Sequence, residues 1–165
     1  MTISITLGFV LGLVSGGKLN DLDTFDQKQA LVTQNYVRAT IAALALALSA
    51  SEFVISNIGG MGCAAIAVLA SGLMSSSLSF QFFQFPSLIS KSFGNDKAII
   101  LSLIDSFALF SSSYVLSMFG NIASNTGLGS YGWSTAWLFL GFCSVLGGFF
   151  TNKLMPSLNT SSVKS

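Results

Sequence analysis

The sequence predicts an all-α protein, a polytopic bundle of five transmembrane helices with its N-terminus outside and its C-terminus inside. Of its 165 residues, 52% are hydrophobic and only 8% are charged, whereas a soluble domain carries about 25% charged residues. The apolar residues stand in runs of about 20, the length that a helix needs to cross a hydrocarbon core of roughly 30 Å. Because lipid offers the backbone no hydrogen-bond partners, each run is expected to be helical.

Five runs define the predicted crossings of a single domain, residues 1–156. They cover residues 1–17, 39–58, 61–85, 98–120 and 133–150. A secretory signal peptide is the alternative for the first run. That run has no basic residue before its apolar stretch and only a weak cleavage site, which favours a membrane span. The polar residues at the end, 157–165, are predicted to be a disordered tail.

The basic residues predict which side of the membrane each connection faces. All seven Lys and Arg residues fall within residues 17–38, 87–97 or 151–165, while the connections at 57–61 and 121–132 carry no charge. Basic residues favour the inner side of a membrane, so the three basic segments are expected inside. No Lys or Arg is then expected within a crossing, where it would pair with an acid or an anionic substrate.

The composition argues against several function classes. The chain contains no His, which removes the commonest general base and the His-dependent nucleophile pairs. Its net charge of +1 is far below the basic field that a nucleic-acid binder needs. We therefore expect an integral protein of a plasma or organelle membrane, surrounded by lipid, with no enzyme activity, no metal, no other cofactor and no nucleic-acid partner.

Glycines at helical spacing predict where helices pack closely. Gly8, Gly12 and Gly16 stand four residues apart in the first crossing, and Gly141 and Gly148 stand seven apart in the fifth. Small residues at such intervals let a neighbouring helix approach its backbone. We expect both sets to serve helix packing.

Asp105 is the acid deepest within a predicted crossing. An acid costs on the order of 2.5 to 3.5 kcal/mol at the bilayer centre on insertion scales, so it suggests a functional role. Ser102 and Ser112 lie three residues before it and seven after it, on the same helical face. This stripe is expected to point into the bundle and to line a substrate or ion pathway. The alternative is a protonated Asp105 that hydrogen-bonds a neighbouring helix.

Further polar residues stand in the second and third crossings. Ser71, Ser75 and Ser79 recur every four residues, a spacing that favours hydrogen-bonded helix packing, with a substrate-facing stripe at Ser71 and Ser75 as the alternative. Glu52 is expected near the outer end of its crossing. An acid there reaches water, and a place in the pathway is the other interpretation.

Short segments mark the ends of the predicted crossings. They are GKLND at residues 17–21, FPSL at 85–88, FGNDKA at 93–98 and GW at 132–133. Their order, with the charged inner loop and the tight outer turn, resembles the C-terminal half of a major facilitator superfamily transporter, helices eight to twelve. The basic residues that follow the Gly-x-x-x-Asp motif in that family are replaced here by Leu-Asp-Thr at residues 22–24.

The resemblance implies a transport-related protein that moves a small solute by alternating access between two six-helix halves. This chain would supply five of the twelve helices, so the missing N-terminal half is an implied partner. The competing interpretation is an accessory subunit of a large respiratory or photosynthetic membrane complex. If the crossings correspond to a carrier's helices eight to twelve, five helices alone would leave a polar flank with Ser71, Ser75, Asp105 and Ser112 open to lipid. Other membrane helices are expected to cover it.

Overall fold

The computed structural model describes residues 2–22, 24–83 and 96–162, and within these ranges it contains helices and no strand. The helices are α1 (Thr2–Asp21), α2 (Phe25–Ser49), α3 (Glu52–Ile58), α4 (Gly60–Phe83), α5 (Lys97–Ala123) and α6 (Gly132–Ser162), with a 3₁₀ segment at Thr126–Tyr131. The all-α prediction is therefore confirmed for the described residues.

Four of these helices are long and apolar enough to cross a membrane. The segments are Asp26–Ser49, Gly60–Phe80, Ala98–Ala123 and Gly127–Leu154. In α1 the apolar part, Thr2–Ser15, is shorter than the run of about 20 residues that one crossing needs. By length and composition, the chain is thus suited to membrane insertion through at least these four helices.

The helices pack in a row whose central member is α2. Helix α2 contacts α4 on one side and α6 on the other, α1 packs on the far side of α4, and α5 packs on α6. The buried residues of α2 are Val32, Asn35, Ala39, Ala42, Ala43, Leu46 and Ala47. Because most of these side chains are small, the neighbouring backbones approach α2 closely.

Helix α2 differs from the second predicted crossing at both of its ends. The charged loop predicted at 17–38 is mostly helical, because α1 continues to Asp21 and α2 begins at Phe25. The crossing predicted at 39–58 is interrupted, because α2 ends at Ser49 and Ser51 is extended, with φ −81° and ψ 129°. Average hydropathy detects apolar stretches. It does not detect a helix that continues through polar residues, or a break that depends on one extended residue such as Ser51.

The short helix α3 separates α2 from α4. Glu52 lies in its first turn, where a negative charge interacts favourably with the positive end of the helix dipole. Gly59 ends it with φ +82°, a left-handed conformation that suits glycine. The tight turn predicted at 57–61 therefore coincides with the end of α3 and the start of α4.

Helices α1 and α4 run parallel and in close contact. Ser4 donates a hydrogen bond to the carbonyl of Val68 (2.5 Å), and Ser75 donates to the carbonyl of Ile5 (2.8 Å). A Cβ at Gly8 would overlap the carbonyl oxygen of Gly72. One at Gly12 would overlap the carbonyl oxygen of Ser76 and the hydroxyl of Ser79. Gly16 is part of α1, but its surroundings lie outside the described residues.

Helices α5 and α6 form a hairpin that is joined at one end. The ring of Phe119 makes edge contacts with Trp133 (5.9 Å) and Trp137 (5.0 Å). Along α5 itself, none of the residues in the most apolar 18-residue stretch is buried. Helix α6 continues to Ser162 through Pro156, past the predicted tail boundary at 157, and residues 163–165 lie outside the described part.

We expect the replacement Gly8→Leu to weaken the α1–α4 contact, because its side chain would occupy the position of the Gly72 backbone. Overpacking of this kind costs about 1–3 kcal/mol. The matched control is Gly120→Leu on α5, where an added Cβ meets no atom within 4 Å. Thermal melting in mild detergent should show a lower midpoint for the first variant only. Equal midpoints would contradict this close packing.

Candidate functional site

The structure does not place Asp105 inside the bundle, so this expectation is wrong for the described chain. Asp105 and Ser102 are exposed on α5, and Ser112 is half-buried. The hydroxyl of Ser112 donates to the carbonyl of Leu109 within its own helix (3.0 Å). The three residues share one face of α5, as their spacing predicts. Spacing fixes which residues share a face, but not which neighbour that face meets.

The other predicted pathway residues lie in two further places. Ser71 and Ser75 are buried in α4, where Ser71 donates to the carbonyl of Ala67 (2.5 Å) and Ser75 bonds α1. Glu52 is exposed at the start of α3. The six residues therefore do not form one site. The two buried serines are also not part of an open polar flank with Asp105.

A ladder of polar contacts joins α2 to α6. The Thr33 hydroxyl lies 2.8 Å from the side-chain oxygen of Asn152, which also accepts from the Gln29 amide at 3.4 Å. One turn away, Thr151 donates to the hydroxyl of Tyr36 (3.1 Å). At the other end, the hydroxyl of Ser134 in α6 donates to the α2 backbone at residue 47 (2.8 Å). These partners run in opposite directions along the two helices, which are therefore antiparallel.

Glycines of α6 make the ladder geometrically possible. A Cβ at Gly147 would lie 2.8 Å from the ring of Tyr36, and one at Gly148 would lie 3.1 Å from the Cβ of Tyr36. Gly141 faces Ala43, with a corresponding distance of 3.3 Å. Two of these three, Gly141 and Gly148, are the glycines whose spacing suggests helix packing.

Arg38 is the residue that the sequence analysis misplaces. It is half-buried on α2 and lies within the membrane-type segment Asp26–Ser49. Because it precedes Ser49 by 11 residues, it lies about 16 Å along the helix from that end. The membrane-type segments therefore contain basic residues, contrary to expectation: Lys28 and Arg38 lie in Asp26–Ser49, and Lys153 lies in Gly127–Leu154. A charged side chain this far from either end of an apolar helix is a candidate functional group.

A depression of about 630 Å³ runs along α2 from Arg38 toward the start of the helix. It is open to the outside and is lined by α2 alone, at Asp26, Gln29, Ala30, Thr33, Gln34, Val37 and Arg38. Five of these seven residues are polar, although most of the surface that they expose there is apolar. A second cavity, of about 290 Å³, lies beside it between α2 and α6 and shares Thr33 and Val37. The depression and the ladder next to it form the candidate site.

A signal for this site is present in the sequence. Polar residues recur at helical spacing through the segment assigned to a loop, at Asp26, Gln29, Thr33, Gln34 and Arg38. Such three- and four-residue intervals place side chains on adjoining positions of one helix face. Reading periodicity as well as hydropathy would have extended α2 toward residue 25.

We expect the Thr33–Asn152 hydrogen bond to couple α2 and α6 energetically. A double-mutant cycle with Thr33→Val, Asn152→Leu and both should give a coupling of roughly 0.6–1.7 kcal/mol, the range found for hydrogen bonds between membrane helices. Unfolding in mixed detergent and SDS measures it. As a control, Thr33→Val combined with Asn121→Leu on α5 should be additive. Additive effects in the first cycle would contradict the contact.

Comparisons with known proteins add no relative to these observations. The chain matches no protein-family model, no curated protein and no solved structure.

Proposed function

We propose that this chain is an integral membrane protein and part of a facilitator-type carrier for a small solute, working only together with further membrane helices. It contributes five crossings, α1, α2, α4, α5 and α6, with the N-terminus outside and the C-terminus inside. The four long apolar helices support insertion into a membrane. Successive crossings must alternate in direction, so two crossings that are separated by one other crossing run the same way. The parallel course of α1 and α4, which are separated by α2, supports this arrangement.

The uncovered helix α5 is the observation that carries the proposal. It presents an acid, Asp105, on a helix whose most apolar stretch has no buried residue within this chain. Lipid cannot hydrogen-bond a carboxyl group, so Asp105 requires a polar neighbour or a water-filled cavity. Helices from outside this chain, packed along α5, would supply either one.

The depression on α2 supports a pathway in particular. It brings the side chains of Asp26, Gln29, Thr33, Gln34 and Arg38 to one open face of α2. In membrane transporters, ionisable residues within the crossings mark substrate or ion pathways. The carrier proposal therefore places the solute route along α2, with α5 facing the helices that complete the protein.

An accessory subunit of a larger membrane complex is the second candidate. It is favoured by the use of Ser4, Ser75, Ser134 and Thr33 in hydrogen bonds between helices. In these contacts the polar side chains bond neighbouring helices, as expected for a helix bundle with a purely structural role. Measured solute flux separates the two candidates.

The proposed orientation predicts opposite labelling of two introduced cysteines. In a chain with Cys63→Ala and Cys143→Ala, Ser124→Cys should react with an impermeant maleimide added outside intact cells. Ser157→Cys should react only after permeabilisation. Ser124 directly follows α5, in the connection that leads to the start of α6, and Ser157 lies near the other end of α6. The basic residues predict that Ser157 is inside. The reverse pattern would refute the orientation.

The proposed partner contact predicts a large complex that depends on Asp105. In mild-detergent extracts of the native membrane, the 17.3 kDa chain should migrate with other membrane helices. Asp105→Lys should reduce that species about fivefold or more, since the loss of one intramembrane polar contact costs roughly 1 kcal/mol or more. Native gel electrophoresis gives the ratio of complex to free chain.

Glu52→Lys is the matched control, because it reverses an exposed acid on α3 and should leave the complex intact. A monodisperse monomer that carries Asp105 open to detergent would refute the contact. If the complex forms, vesicles that contain it decide between the candidates. Solute uptake that Asp105→Asn abolishes supports the carrier, whereas an intact complex without uptake supports the accessory subunit.

A further inference from the structure

Two buried side-chain atoms among the described residues have no hydrogen-bond partner, the Oδ1 of Asn35 on α2 and the Oγ of Ser77 on α4. Both residues are fully buried, with 0% of their surface exposed. The amide nitrogen of Asn35 donates to the carbonyl of Leu31 in its own helix (2.9 Å), so only the oxygen of this side chain is left over. Such an atom costs free energy, because it has lost its hydrogen bonds to water and gained none. Buried polar atoms in folded proteins are nearly always paired, so each of these two requires a partner.

Ser77 lies on the side of α4 that is turned away from α1. Helix α4 meets α1 at Val68 and Ser75, which take part in the hydrogen bonds between the two helices. Ser77 follows these residues by nine and two positions, which places it about 160–180° around the helix from both. Apart from α1 and the short α3 at its start, the helix on which α4 packs is α2. The buried side chain of Ser77 therefore faces α2.

Asn35 lies on the side of α2 that meets α4. The side chains of Thr33 and Tyr36 are directed to α6. A different set of buried positions is spaced alternately by three and four residues, which is typical of a seam between two helices. These positions are Val32, Asn35, Ala39, Ala42 and Leu46. The other long helix in contact with α2 is α4, so this set packs on α4.

The two side chains stand at similar levels along this α2–α4 seam. The connection from Ser49 to Gly60 consists of α3 and three further residues, which is too short to return to the start of α2, so α4 runs back along α2. Asn35 precedes Ser49 by 14 residues and Ser77 follows Gly60 by 17, which corresponds to about 21 and 25 Å of helix. Helical side chains lean toward the start of their own helix, and this brings the two polar ends closer in level.

A water molecule has the hydrogen-bonding capacity that these two atoms need. The amide oxygen of Asn35 only accepts a hydrogen bond, whereas the hydroxyl of Ser77 both donates and accepts. Water can donate to the first and accept from the second, and ordered waters bridge buried polar groups of proteins in this way. A metal ion matches less well, because it is usually bound by several oxygens that include carboxylates, or by imidazole or thiolate. Within the described part of the chain, no group of three or more His, Cys, Asp and Glu could hold one.

We propose that Asn35 and Ser77 face each other inside the α2–α4 seam and bind one water molecule between them. The water donates a hydrogen bond to the Oδ1 of Asn35 and accepts one from the hydroxyl of Ser77, so both atoms are satisfied. Direct hydrogen bonds join α1 to α4 and α2 to α6, and the water gives α2 and α4 a corresponding polar link. The inference goes beyond the proposed function, since it is the same for a carrier and for an accessory subunit.

Cross-linking tests whether the two residues face each other. The full chain, in its native membrane and in the background Cys63→Ala and Cys143→Ala, carries Asn35→Cys and Ser77→Cys and is treated with a short bis-methanethiosulfonate. Cyanogen bromide then cleaves the chain after its methionines, which include Met61 and Met74. The fragments that carry residues 35 and 77 stay joined only if the two thiols are linked.

The matched control pairs Asn35→Cys with Ser76→Cys, because the Ser76 backbone lies against Gly12 of α1. The pair at residues 35 and 77 should give about fivefold or more of the joined fragment than the control pair. A yield no higher than that of the control would overturn the facing arrangement.

The water is detected in the unaltered chain in lipid vesicles, by solid-state NMR transfer of polarisation from water protons to the side chain of Asn35. The sequence contains one Gln-Asn pair, Gln34–Asn35, so labelling these two residue types assigns the signals. We expect transfer to Asn35 at short mixing times. Ser77→Ala should reduce it about threefold or more, because the water then loses one of its partners, and Ser76→Ala should leave it unchanged.

Three results of this measurement would overturn the proposal. Absence of transfer to Asn35 would mean that no water is bound there. A short-range correlation between Asn35 and Ser77 without transfer from water would show a direct hydrogen bond instead. Transfer that Ser77→Ala does not change would show a water bound without Ser77.

Discussion

The close approach of α2 to its two neighbours is the interaction on which the rest of the structure depends. Small residues such as Ala42, Ala43 and Ala47 form its buried face, and Gly148 of α6 accommodates Tyr36 of α2. Lipid tails are as apolar as these side chains, so burial alone does not bring helices together in a membrane. Close van der Waals contact and hydrogen bonds must do so, and both require short distances between backbones.

The same physics explains why the most apolar stretch of α5 has no buried residue. Its surface carries large exposed side chains, Phe107, Phe110 and Tyr114 among them, and these do not permit close backbone contact without a complementary surface. Its ring contacts with α6, from Phe119 to Trp133 and Trp137, lie at the hairpin end. The helices of the proposed carrier would pack along the part of α5 that carries Asp105.

The sequence predicts much of the fold, and where it fails the cause is local. Hydropathy places α4 and α5 within a few residues of their observed bounds, because apolar composition is continuous there. It fails for α2, whose polar first half is helical all the same and whose end at Ser49 depends on one extended residue, Ser51. A count of apolar residues contains neither effect.

The candidate site shows a sharper limit of prediction from sequence. Spacing in the sequence predicts one packing face on α4, at Ser71 and Ser75, and one on α1, at Gly8 and Gly12. The structure brings these two faces together. For Asp105 the same argument predicts correctly which residues of α5 share its face, but it is wrong that this face points into the bundle. A face meets another only if tertiary packing selects it, and one helix contains no information on its neighbours. Arg38 was missed because a wrong helix boundary placed it in a loop.

Arg38 and Asp105 present opposite charges on different helices of the row, and the physical demands on them differ. Asp105 is exposed on α5, where lipid would surround any group without a protein neighbour, so the proposed carrier places another helix beside it. Arg38 is half-buried on α2, on an open face lined by residues of that same helix. The exposure of the two charges therefore differs, and so does the demand that each places on its surroundings.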